Sequence, residues 1–360
     1  KLPEGQRVHV LVNNSDGRGN AYGSHMNFLV TRRCWQDIFE RKIQYLLYLA
    51  AYQVSSIVFT GQGKVGSENG RPEVDFQLSQ RADFFEQLVG PHTTYSRPVV
   101  NSRDESHCTS SRDSSGGLEH AGSGMARLHS IFFDNTLCHG STVLKAGVMQ
   151  IVLAMIEAGR VNLGLLLEDP IRALGVWSHD PSLKAKARMC SGRGVTAVDL
   201  QMMFLEEAAR FVSQRHCDDI VPRAHEIVEL WADTLEKLRT GDIAALTSRL
   251  DWALKLSILE EVIAGNDNLD WHHPALKRLD HIYSSLDKEE GLFWAYDKAG
   301  RVEHLVNKNE IKKFTRNPPQ DTRAWTRAML LREAGPDRVS EIDWAQMRFI
   351  VCLLYTSDAA

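Results

Sequence analysis

The chain has 360 residues, 42 Lys and Arg against 46 Asp and Glu, and a formal charge of −4. That balance lacks the basic excess that marks nucleic-acid binding, and 43% hydrophobic with 24% charged residues is a globular composition, neither disordered nor collagen-like. No apolar run reaches the roughly 18 residues of a membrane span; the best, Ile43–Ala51 and Val148–Ile156, are short.

In chain order, Val8, Val10 and Val12 alternate with Arg7, His9 and Leu11, which predicts an interior strand over Arg7–Val12. The chain opens on Lys1-Leu2-Pro3 without Met, so further sequence is expected upstream. Clusters of Gly, Asn, Asp and Ser then separate candidate strands at Ser24–Val30, Ser56–Thr60, Val74–Arg81, Pro98–Arg103 and Arg127–Phe133. The Ser- and Gly-rich stretch Thr109–Gly124 reads as a surface loop. After Ser141 the period changes. Leu144, Val148, Ile151 and Met155 form one helical stripe with Gly159 as its C-cap, and Ala224, Ile227, Trp231, Leu235 and Leu238 form another. Thr196 with Asp199 resembles a capping box opening a helix through Ala209, and Pro318-Pro319 precede a helix over Thr322–Ala334. The sum is an α+β arrangement, strands first and helices packed on them.

Cys34, Cys108, Cys138, Cys190, Cys217 and Cys352 are scattered, without a CxxC pair or a zinc-finger spacing, so a reducing cytoplasm is the simplest setting. Residues 352–360 read as adapter-derived, with natural sequence expected to end at Val351.

Alternation within the strands assigns polar side chains to common faces. His25 and Asn27 oppose Met26 and Phe28; Gln77, Ser79 and Arg81 oppose Phe76 and Leu78; Asn101 pairs with Arg103, and Arg127 with His129. One reading is a polar cleft whose guanidinium forks bind an anion, with imidazoles available for a metal. The other is an antiparallel sheet with one solvated face. Two histidines do not hold Mg²⁺ by themselves, since it takes oxygen ligands. Asp16, Asp104, Glu105 and Asp134 are the nearby acidic candidates, although Asp16 sits in ordinary turn sequence. Gly61-Gln62-Gly63-Lys64 lacks Walker spacing.

Four runs then become recognisable: Asn13 to Asn27 (NNSDGRGNAYGSHMN), Phe76 to Asp83 (FQLSQRAD), Asn101 to His107 (NSRDESH) and Arg127-Leu128-His129. Together they resemble the Pup ligase and Pup deamidase/depupylase family, the proteasome accessory factor A group. The likeness continues through Asp169 to Ala173, Ser178 to Leu183, Leu250 to Lys255 and Asn317 to Arg323, covering nearly all of Arg7–Val351. The resemblance implies a glutamine-synthetase-like carboxylate–amine ligase fold. In it a curved antiparallel sheet packed with helices cradles ATP and Mg²⁺, and a small C-terminal domain completes the nucleotide site. It places the catalytic domain over 1–335 and the start of the C-terminal domain over 336–351. It makes His25 and His129 metal ligands, Arg81 and Arg103 phosphate contacts, Trp344 an adenine neighbour, and Arg323 and Arg327 members of the nucleotide shell.

The family's catalytic Asp and metal-binding Glu residues are expected from strands preceding Lys1, and Met26 stands where relatives usually carry Glu. If Met26 faces away from His25, the ligand set survives. The implied partners are Pup or a Pup-like modifier and pupylated proteins, with a functional link to the proteasome. Val58 to Gly66, Asp180 to Leu183 and Asn317 to Ala324 resemble the depupylase/deamidase branch more closely. That branch hydrolyses the isopeptide bond between the C-terminal Glu of Pup and a substrate Lys, or deamidates a C-terminal Gln. An ATP-dependent Pup–protein ligase is the alternative, and a non-catalytic Pup-binding protein is an alternative of another class.

Overall fold

The apolar stripe from Leu144 onward becomes α4, His139–Glu157, whose Leu144, Val148, Ile151 and Met155 are buried. In the computed structural model, which describes residues 6–104, 124–214, 220–342 and 347–350, α4 runs through the main hydrophobic core. By length and composition it is apolar enough to cross a membrane, but 67% of its most apolar window is buried inside the protein, as in a core helix. It ends as Gly159 predicts. Gly159 takes φ +70°, its N–H donates to Ile156 O at 2.9 Å, and Arg160 N–H donates to Met155 O at 2.8 Å.

α4 packs on α7, Ala224–Thr240, and on α6, Ala197–Gln214. Gly147 permits the first contact, since a Cβ there would lie 2.7 Å from Ile227 Cδ1. The predicted cap on α6 forms, Thr196 Oγ1 accepting the Asp199 N–H at 3.0 Å. Tyr48 and Tyr52 of α2, Ile43–Ser55, pack their rings on Phe204 of α6 at 4.9 and 5.7 Å. A buried ion pair of 2.6 Å, Lys255 to Asp280, ties α8, Asp251–Ala264, to α9, Pro274–Tyr283.

The strands pair two by two. β1, Met26–Thr31, is antiparallel to β6, Met125–Ser130, and β2, Lys64–Val65, to β3, Phe76–Gln77. β4, Phe85–Gly90, and β5, Arg97–Asn101, run parallel. Only six residues connect them, yet six extended residues reach roughly 20 Å, enough to return along a five-residue strand. β7, Ala187–Arg188, and β8, Gly194–Val195, form a small antiparallel ladder.

The chain divides into two compact units, the first ending at Glu303 and the second beginning at His304. Within the second lie α11, Lys308–Arg316, α12, Arg323–Ala334, and an antiparallel pair, β9 (Val339–Ile342) and β10 (Met347–Phe349).

Three predicted strands change. Ser56–Thr60 is helical: α3, Ile57–Thr60, follows α2 after the single residue Ser56, and the Ser55, Ser56 and Thr60 hydroxyls bond back to carbonyls three and four residues earlier. A short apolar run fits either state, and the preceding helix decides. Arg7–Val12 is not interior: it is extended with one bridge, Leu11 to Ser285, leaving Val8 68% and Val10 55% exposed. Val74–Arg81 shortens to β3 because Leu78 to Arg81 turn into contacts with buried polar groups on both sides. The loop Thr109–Gly124 lies outside the described residues except for Gly124.

Lys145 on α4 is buried, its Nζ donating to Asp134 O at 2.8 Å and Thr136 Oγ1 at 3.1 Å. Burial lowers its pKa from 10.5 to about 8, with Asp251 and Asp134 opposing the shift. Between those two values the unfolded chain holds more protons than the folded one, so stability rises with pH across that window. Urea unfolding followed from pH about 8 to about 10 should show this slope, and Lys145→Met should flatten it.

Candidate functional site

β1 and β6 build the centre of the site through their register. Asn27 lies opposite His129 and Leu29 opposite Arg127, so His25, Asn27, Leu29, Arg127 and His129 share one face. Phe28, Val30, Ala126 and Leu128 turn the other way into the core, and Met26 packs against that core. Met26 therefore faces away from His25. The polar face is open along β1 and covered along β6, where Arg127 and His129 are buried. The His25 and His129 rings meet edge to face, centroids 5.2 Å apart, and Arg127 Nη1 donates to Asn27 Oδ1 at 2.7 Å.

Arg81 lies close to the His25 end of this face. It is 1% exposed, its Nη1 donating to the Ile131 carbonyl and, at 3.2 Å, to Phe133 O, while Phe85 stacks 5.2 Å from the guanidinium. Gly23 is essential to the arrangement, because a methyl at its Cα would overlap the guanidinium. Arg97, which opens β5, donates from Nη2 to Ala21 O at 2.9 Å. The Nε of Arg81 and the Nε of Arg97 are both buried without a hydrogen-bond partner among the described residues.

These charges tune the imidazole. Partial enclosure, followed by the Arg81 and Arg97 guanidiniums, lowers the His25 pKa, so the ring is neutral at neutral pH with a lone pair to offer. Burial brings Arg81 itself down to about 10, opposed by Asp134. Asp134 organises the surrounding backbone, accepting Gln62 N–H and Gln80 N–H at 2.9 Å and Ser79 Oγ–H at 3.0 Å.

The predicted site residues divide accordingly. His25 and His129 meet, and Arg81 lies close by but buried. Arg103 sits two residues past β5, half-buried, its N–H on Asn101 Oδ1 at 3.1 Å, and so outside the ladder expected to orient it. Arg323 and Arg327 belong to α12 in the second unit, and Trp344 lies outside the described residues. Of the acidic candidates, Asp16 accepts the Arg18 and Asn20 N–H groups of its turn, Asp104 pairs with Arg32 at 2.7 Å, and Glu105 lies outside the described residues. The residue missed was Arg97. Its signal was Pro98, since a residue before proline is driven to extended conformations and joins the strand.

Unsatisfied, buried guanidinium donors beside a neutral imidazole suit the oxygen atoms of an anion such as phosphate. They do not make a Mg²⁺ site alone. Among the described residues no group of three or more His, Cys, Asp or Glu is placed to share a metal, and Mg²⁺ takes about six ligands, chiefly oxygen. Gly23→Ala should force Arg81 aside and cost about 1–3 kcal/mol of stability, measured by urea unfolding. It should also move the His25 titration upward in NMR.

The family model described as Pup-ligase protein matches residues 1–348. The chain is 36% identical over 350 residues to the depupylase of Acidothermus cellulolyticus, covering 97% of this chain and 65% of that protein. It is 36% identical to the Pup deamidase/depupylase of Mycolicibacterium smegmatis, with the same two coverages. To the Pup–protein ligase of Paenarthrobacter aurescens it is 32% identical, covering 95% of this chain and 70% of that one. The chain thus spans about 65% of the length of the depupylases it matches. The solved structure of the Pup ligase PafA in complex with ADP superposes with a TM-score of 0.77 at 26% identity, covering 94% of this chain and 70% of that one. The complex between Pup and PafA gives the same TM-score and identity, covering 93% and 65%. The fold is glutamine-synthetase-like, and the chain belongs to the Pup-ligase protein family.

Proposed function

We propose that this chain carries the nucleotide- and Pup-handling site of a depupylase/Pup deamidase. It would hydrolyse the isopeptide bond between the C-terminal Glu of Pup and a substrate Lys, or deamidate a C-terminal Gln. The observation that carries this reading is the His25–His129 ring pair, with His25 held neutral, near two guanidiniums, Arg81 and Arg97, whose Nε atoms have no hydrogen-bond partner among the described residues. The higher identity to the two depupylases than to the ligase supports that branch.

ATP is the proposed cofactor. Its bound phosphate supplies negative charge for these donors to hold. Arg97 would offer its Nε to that anion, and Arg81 would fix the 131–133 segment through its bonds to the Ile131 and Phe133 carbonyls. Arg103, Arg323, Arg327 and Trp344 are proposed members of the nucleotide shell, with β9–β10 at the start of a small C-terminal domain. His25 and His129 are assigned to Mg²⁺ only in company with oxygen ligands from outside the described residues. The proposed partners are Pup and pupylated proteins in the cytoplasm, upstream of a proteasome. The ligase is the second reading, favoured by one observation: both superposed structures are of a Pup ligase.

Incubating the full-length protein with a Pup–protein conjugate, with Pup ending in Gln, and with ATP discriminates these readings. Nucleotide-dependent loss of conjugate and conversion of Gln to Glu is the expected result. Growth of conjugate from Pup ending in Glu identifies a ligase, and Pup binding without turnover identifies a non-catalytic binder. Arg97→Ala should weaken ATP binding about tenfold by calorimetry, as the loss of one charge-assisted hydrogen bond requires. His129→Ala should reduce the part of nucleotide affinity that depends on added Mg²⁺; equal affinities in wild type and variant reject the assignment.

A further inference from the structure

A cavity of about 470 Å³ opens beside the site, with Leu11, Val12 and Tyr22 as apolar walls and Asp16, Asn135 and His281 as polar lining. Its size is that of a small-ligand or side-chain pocket. Two of its walls continue into the site. Tyr22 is three residues before His25, a span of at most about 10 Å. Asn135 is two residues after Phe133, whose carbonyl accepts both Ser24 N–H and Arg81 Nη1.

The lining chooses among ligand classes. Asn20 Nδ2 donates to Asp16 Oδ2 at 2.7 Å, and the Arg18 and Asn20 N–H groups bind Oδ1 at 2.8 and 3.0 Å. These bonds, led by the Asn20 side chain, hold the Asp16 pKa below the usual carboxylate range, so the group is ionised and disfavours an anion. An aliphatic stem ending in an amine matches apolar walls with one carboxylate.

We propose that this cavity is the lysyl subsite of the reaction above, a deepening that rests on the depupylase reading. Hydrolysis adds water across the isopeptide bond. The carbonyl carbon gains the oxygen, the carbon–nitrogen bond breaks, and the products are the Pup carboxylate and a lysyl ammonium that carries the water's protons. The alkyl stem of the leaving lysine lies against Leu11, Val12 and Tyr22, and Asp16 provides the counter-charge for the ammonium. A C-terminal Gln has no such stem, so the cavity affects one of the two proposed reactions and not the other.

The test uses full-length protein and two substrates, a Pup–lysine conjugate and Pup ending in Gln. Tyr22→Ala should lower the ratio of kcat/KM for conjugate to kcat/KM for Gln about tenfold. An unchanged ratio overturns the proposal. Separately, Nα-acetyl-L-lysine N-methylamide should bind saturably by NMR titration, and Asp16→Asn, which keeps the turn, should weaken it about fivefold. The isosteric norleucine amide should be indifferent to that substitution. If the wild type performs neither reaction, the depupylase reading fails, and the lysine probe alone judges the cavity: binding weakened by Asp16→Asn upholds it, and no binding or equal binding overturns it.

Discussion

A guanidinium buried without a carboxylate on its hydrogen-bonding edge is the constraint around which this site is built. Among the described residues the Arg81 guanidinium donates to the backbone carbonyls of Ile131 and Phe133, and next door Asp134 gathers the N–H groups of Gln62 and Gln80. Removing a charge from water is expensive, so each bond that compensates it also fixes a piece of backbone. Here the pieces are the Gly23–His25 approach to β1, the segment after β6 and the turn before Arg81 itself. The imidazole pair is positioned as a consequence.

The same economy explains why the polar residues of the first third are mostly enclosed. Gln77, Ser79, Gln80 and Arg81 are all buried, and Asn14 joins Gln62, Gln80 and Asn135 in one hydrogen-bonded web. Such a web holds its shape only when nearly every member is satisfied. Among the described residues the Nε atoms of Arg81 and Arg97, like Gln62 Nε2 within the web, are buried donors without an acceptor. The cavity lined by Tyr22 and Asn135 shares backbone with that site, so an anion surface and a cation-favouring pocket are joined through a few residues.

Much of the helical half was legible in the amino-acid sequence. Gly159 ends α4 in the left-handed conformation, Thr196 caps α6, and α12 begins one residue from its expected start. These are local effects of backbone sterics and first-turn hydrogen bonds, which neighbouring residues settle among themselves. Strand residues were harder to read. Ser56–Thr60 joined the helix before it, Arg97 entered β5 ahead of its proline, and Arg103 fell outside the ladder, because strand pairing depends on partners distant in the chain.

By itself the sequence determined the α+β class, the alternation that sends Met26 and His25 to opposite sides, the helix ends and the motifs by which the family is known. Tertiary structure alone decided that β1 and β6 align Asn27 with His129, that Gly23 admits the Arg81 guanidinium, and that Asp16 lines a cavity as well as its own turn. The division follows from range. Turn, cap and face preferences are set within a few residues, whereas register, burial of charge and the walls of a pocket arise only when segments distant in the chain are pressed into contact.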